Sequence, residues 1–202
     1  MATWKTAMLK LYRYACLLAG LLAMTPLQAG ETPELTIDQL MQMLAQTKSA
    51  QATFVETKTI AMLDAPVESS GELLYRAPDY FEKRTLKPKP ESMMLDGNTL
   101  TLERSGKKRS LRLQSYPEIA AFIDSIRGTL AGDRTALESA YTLSLQGSAD
   151  DWELLLSPTD AKVRKMVNAI NISGANAELR TIAASQADGD SSLMIIQNIY
   201  TE

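Results

Sequence analysis

Residues 92–104 read Ser92-Met93-Met94-Leu95-Asp96-Gly97-Asn98-Thr99-Leu100-Thr101-Leu102-Glu103-Arg104. Asp-Gly between two short runs of strand-forming residues is a strong local signal for a β-hairpin. It predicts antiparallel strands over 92–95 and 99–104. The same grammar continues on both sides. Upstream, 80–86 is a strand, Ala77-Pro78-Asp79 is a turn, and 68–76 is a strand with Gly71 placed for a bulge. Asp64-Ala65-Pro66 ends the strand before that one. There Ala52, Phe54, Glu56, Lys58, Ile60 and Met62 alternate with Thr53, Val55, Thr57, Thr59, Ala61 and Leu63. A period of two with β-branched residues suits a pleated strand. Downstream, Ser105-Gly106-Lys107-Lys108 turns the chain into a strand over 109–113. Five or six strands thus follow one another with no helix between them. That is an antiparallel meander rather than a parallel βαβ sheet.

Helical signals bracket this meander. Thr36-Ile37-Asp38-Gln39 has the form of a capping box, with Leu40, Met41 and Leu44 following at helical spacing. It predicts a helix from about 37 to 48. Pro117 can open a second helix, on which Ile119, Phe122, Ile123, Ile126 and Leu130 form one stripe before Gly132 stops it. Short helical pieces are expected over 134–139 and 160–166. Strands resume at 141–146, 152–156, 168–173, 178–185 and 191–200, with Asn176 and Asp188-Gly189 at turns. The expected class is mostly β (α+β): about ten or eleven antiparallel strands curling into an incomplete barrel, with an N-terminal helix and helices over its mouth.

The first 29 residues have a separate meaning. Lys5, Lys10 and Arg13 are their only charges, an apolar core follows from 15 to 24, and Leu27-Gln28-Ala29 offers a small residue at a cut. This is the order of a secretory signal peptide, cleaved near Ala29. Its core is too short for a membrane-spanning helix, which needs about 20 residues. Cys16 lies inside that core and not after it, so no lipid anchor is expected. Residues 30–202 then form a single domain.

Composition removes several chemistries. The 202-residue chain has no histidine, and its one cysteine falls in the leader. A Ser-His-Asp triad, a Cys-His pair and imidazole or thiolate metal sites are therefore excluded from the exported product. No phosphate-binding or dinucleotide-binding loop is present. With 24 acidic residues against 21 basic ones, nucleic-acid binding is not expected. Neither catalytic residues nor a cofactor are assigned. Asp150-Asp151 and Asp188-Gly189-Asp190 fit a carboxylate pair or a calcium loop, but ordinary turn chemistry also accounts for them. Arg104, Lys107, Lys108 and Arg109 either protect a strand edge or dock an acidic partner or lipid phosphates. The stripe from Ile119 to Leu130 is either core packing or a lid over an apolar cavity. Methionines at 41, 43, 62, 93, 94, 166 and 194 fit a surface that repacks around apolar cargo, and equally fill gaps in a core.

In order along the chain, the following segments resemble the LolA/LolB-type lipoprotein carriers, above all periplasmic LolA-like proteins. They are Ala52-Thr53-Phe54-Val55-Glu56, the stretch from Gly71 through Tyr75-Arg76-Ala77-Pro78-Asp79-Tyr80-Phe81, Asp96-Gly97-Asn98-Thr99-Leu100, and Leu154-Leu155-Leu156-Ser157-Pro158. The resemblance implies a strongly curved half-barrel whose helical lid covers an apolar cavity. It also implies a monomer that binds acyl chains of a lipoprotein or lipid. The cargo would come from an inner-membrane donor and go to an outer-membrane acceptor. A lipid-sensing module, or a carrier of acylated pigments or glycolipids, is the alternative. The family's basic residue before the proline, which latches the lid, is Ala77 here, with Arg76 one place early. Its first-strand Gln is Glu56, and Leu74 and Lys83 stand where cavity tryptophans are expected. Strand alternation together with the resemblance gives Phe54, Leu73, Tyr75, Phe81, Leu100 and Leu102 as lipid-binding candidates on the sheet. Helical spacing adds Phe122, Ile123 and Ile126.

Overall fold

The computed structural model describes residues 34–201, so the segment expected to be a signal peptide lies outside the described residues. Eleven antiparallel strands form one sheet in the order β6-β5-β4-β3-β2-β1-β11-β10-β9-β8-β7. The chain starts at the centre with β1 (Ser49–Thr59) and steps outward through β2 (Val67–Arg76), β3 (Tyr80–Lys87), β4 (Glu91–Asp96), β5 (Thr99–Arg104) and β6 (Lys107–Arg112). It crosses to the other edge through α2 (Pro117–Ala131) and α3 (Arg134–Glu138). It then returns through β7 (Tyr141–Ser148), β8 (Asp151–Pro158), β9 (Val167–Ala175), β10 (Glu178–Gln186) and β11 (Ser191–Thr201). β11 pairs with β1, while the edge strands β6 and β7 do not pair with each other. The result is the incomplete antiparallel barrel expected from the sequence.

Local chemistry explains the boundaries. α1 (Ile37–Leu44) begins at a full capping box: Gln39 N donates to Thr36 Oγ1 at 3.3 Å and Thr36 N donates to Gln39 Oε1 at 2.9 Å. It is shorter than the expected 37–48, because residues 45–48 turn the chain into β1. Gly97 takes φ +55° in the two-residue turn between β4 and β5. Register shifts at Ser70/Gly71, where a Cβ on Gly71 would collide with the Arg84 carbonyl. The aspartates at 188 and 190 are turn chemistry: Asp190 N donates to Asp188 Oδ1, and Asp190 Oδ1 accepts from Ala61 N at 2.9 Å.

The alternating burial of β8 sends Trp152, Leu154 and Leu156 inward. They meet Ile170 and Ile172 of β9 and Leu40, Met41 and Leu44 of α1 in the main core. A smaller cluster lies under the start of α2, where Ile123 meets Leu95, Leu100 and Leu113. A third, Phe54, Leu73 and Met194, sits where β1, β2 and β11 run side by side. Opposed residues of antiparallel strands share a face. The register therefore carries one concave face from Leu154 and Ile172 through Ile182, Met194 and Glu56 to Ser69, and from Phe54 and Leu73 through Lys83, Met93 and Leu102 to Arg109.

Candidate functional site

A cavity lies between the concave sheet and the helices. Ala52 of β1, Leu73 and Tyr75 of β2, Phe81 of β3, and Ile182 and Ile196 of β10 and β11 face it from below, and Leu44 of α1 with Ile126 and Leu130 of α2 cover it. The enclosed space is about 70 Å³. Sites that hold a drug-sized ligand occupy about 300–1,000 Å³. The cavity as it stands is well below that size.

α2 is held by its own hydrogen bonds and by a few polar contacts to the sheet. Its buried hydroxyls are satisfied within the helix, Ser125 Oγ donating to Phe122 O at 2.6 Å and Thr129 Oγ1 to Ser125 O at 2.7 Å. Polar ties to the sheet are few. Arg127 Nη1 donates to Gly97 O in the β4–β5 turn at 2.9 Å, and its Nη2 pairs with Asp124 Oδ1 at 2.5 Å. Tyr141 Oη of β7 donates to Ala121 O at 3.2 Å. Burial pushes the Asp124 carboxyl above the usual carboxylate range, while Arg127 pulls it back down. Arg76 takes no part in this. It is exposed, on the opposite face of β2 from Leu73 and Tyr75, with its guanidinium 5.6 Å from the Tyr80 ring. Its one-residue offset puts it on the convex side. The tie from sheet to lid runs instead from an arginine of the lid to a backbone carbonyl of the sheet.

The candidate residues take different places. Leu73, Tyr75, Phe81 and Ile126 line the cavity. Phe54 lies one row further in, packed with Leu73. Phe122 packs against the main core, and Ile123 and Leu100 meet each other in the cluster under α2. Leu102 shares the concave face but is 40 % exposed, because its end of β5 runs out beyond the helix. Two features had weaker signals. The Tyr75 hydroxyl is buried without a hydrogen-bond partner, and burial together with nearby Asp79 pushes its pKa up. Lys83, two residues after Phe81 and so on the same face, points inward and not to solvent: its ammonium is 2.5 Å from Glu56 Oε2 and 4.8 Å from the Phe54 ring centre. In the sequence its signs are a lysine in phase with an inward aromatic and its place where the resemblance expects a cavity tryptophan.

The sequence profile of a family described as outer membrane lipoprotein carrier protein LolA-like matches residues 29–199. The chain belongs to this family. An outer-membrane lipoprotein carrier protein of Pectobacterium carotovorum subsp. carotovorum (strain PC1) is 24 % identical over 194 residues, covering 91 % of this chain and 84 % of that one. Among solved structures, a LolA superfamily protein from Nitrosomonas europaea superposes with a TM-score of 0.45 at 11 % identity, over 83 % of this chain and 94 % of that one. MucB of Pseudomonas aeruginosa, solved in complex with MucA, gives 0.49 at 15 % identity, over 82 % and 56 %. For this LolA-like chain no helix among the described residues is long and apolar enough to cross a membrane.

Proposed function

We propose that this LolA-like protein is a periplasmic carrier that shelters the acyl chains of a lipoprotein or lipid on their way to the outer membrane, without catalysis. The observation that carries this reading is the cavity: aliphatic and aromatic on nearly every side, too small when closed, and roofed by a helix with few polar ties to the sheet. The physical need is simple. Each CH₂ exposed to water costs about 0.8 kcal/mol, so a chain crossing an aqueous space needs an apolar shelter. Delivery also requires that the shelter open again.

The test is to fill the cavity. Ala52 is half-buried and faces it. Ala52→Leu adds volume comparable to the free space and keeps the strand apolar. It is expected to leave thermal stability within about 1.5 kcal/mol and to lower the affinity for a fluorescent fatty acid about tenfold or more. Unchanged uptake by a folded Ala52→Leu protein would remove the cavity from the account.

A further inference from the structure

Beyond the row formed by Phe54 and Leu73, the concave face changes character. Glu56 is 6 % exposed, and its Oε2 lies 2.5 Å from Lys83 Nζ, 3.5 Å from Lys58 Nζ and 3.4 Å from Ser69 Oγ. Two ammonium groups thus share one carboxylate. The same face continues across β4 to β6 with Arg109 opposite Leu102, and with Arg104 and Lys107 opposite each other. Of these, Arg104 pairs with Glu91 at 2.9 Å. The convex faces of β2, β3 and β5 carry Glu68, Glu72, Glu82 and Glu103, with Arg76 and Arg84 among them. On a chain with net charge −3, positive charge is therefore gathered where the concave face leaves the cover of α2.

Stability gives no reason for Lys83 to be there. Replacing a buried ion pair by apolar residues of similar volume is often neutral or stabilising. Burial lowers the pKa of the Lys83 ammonium, and the Glu56 carboxylate only partly restores it. The cation is held by Glu56 and the Phe54 ring in a place where an apolar side chain would pack, one strand from Leu73 of the cavity wall.

We propose that Lys83, with Lys58 beside it and Glu56 as its resident counter-ion, is the seat for the anionic headgroup, phosphate or carboxylate, of the acyl lipid carried in the cavity. The inference rests on the carrier reading above. A chain lying over Phe54 and Leu73 brings its polar end to Lys83. The incoming anion takes Lys83 from Glu56, which keeps Lys58 and Ser69. One charge-assisted contact is exchanged for another, so recognition adds selectivity without making release slow.

The test compares two amphiphiles with the same twelve-carbon tail, dodecyl phosphate and dodecyl maltoside, as competitors of a fluorescent fatty acid. The wild-type protein is expected to prefer the phosphate by about tenfold, the size of one hydrogen bond to a charged group. In Lys83→Met that ratio is expected to fall to near one. In Glu56→Gln, which removes the competing carboxylate, it is expected to rise. If Lys83→Met does not fold, the double variant Glu56→Gln/Lys83→Met, which leaves no buried unpaired charge and only the half-exposed Lys58 without its partner, is read in its place. Equal binding of both amphiphiles by the wild type, or a preference that survives loss of Lys83, overturns the headgroup seat and leaves the carrier reading standing. Binding of neither amphiphile brings down the carrier reading itself. Displacement of dodecyl phosphate by millimolar inorganic phosphate would show a site for the free ion, and would also overturn the proposal.

Discussion

One sheet supports two unlike inner surfaces. On β8 and β9 the inward residues Leu154, Leu156, Ile170 and Ile172 are fully buried and packed against α1 and one another. On β1 to β6 the inward residues begin as Phe54, Leu73 and Leu100, but end as Glu56, Lys83, Leu102 and Arg109. The strands, their spacing and their alternation are of one kind on both sides. What differs is the cover: α1 and α3 belong to the first half, and α2 reaches only part of the second. The β7–β10 half is the permanent core that makes the protein stable. The β1–β6 half, together with Ile182 and Ile196, borders the cavity, and charge meets apolar surface there.

This contrast can be broken by substitution. The largest effect is expected in the permanent core, where Ile172→Ala should cost about 2–5 kcal/mol in urea unfolding. A loss below about 1 kcal/mol would mean that this half is as loosely packed as the other. Next comes the lid tie. Arg127→Ala removes a charge-assisted bond to Gly97 O and should cost about 1–2 kcal/mol. It should also speed fatty-acid uptake measured by stopped-flow fluorescence, because opening no longer breaks that bond. Slower or unchanged uptake would show that α2 is not the gate. The smallest effect is expected at Leu102→Thr. That position shares the concave face but lies outside the cover, so stability should stay within about 0.5 kcal/mol. A large loss there would extend the core into the open half.

The halves also differ in how far the sequence reveals them. The Asp96-Gly97-Asn98 hairpin, the Thr36–Gln39 capping box and the stop at Gly132 are local signals, and the structure keeps all three. The pairing of β1 with β11 joins the two ends of the domain and leaves no local mark. The inward face was hard to choose because several strands are apolar on both sides. Leu155, Leu193 and Ile195 point outward and are still 37–43 % exposed. The lid tie was invisible for another reason: Arg127 reaches a backbone carbonyl, and any residue at position 97 would offer one. The resemblance puts the latch at the position held by Ala77, with Arg76 one place early, and strand alternation puts Arg76 on the convex face.

If the cavity opens to take an acyl chain, the protein carries one when it is isolated. Native mass spectrometry of the protein purified gently from its own cells should then find one acylated species per chain, lost on organic extraction and regained with added lipid. A protein that is ligand-free when isolated, and that also takes up no fluorescent fatty acid, would contradict this opening of the cavity.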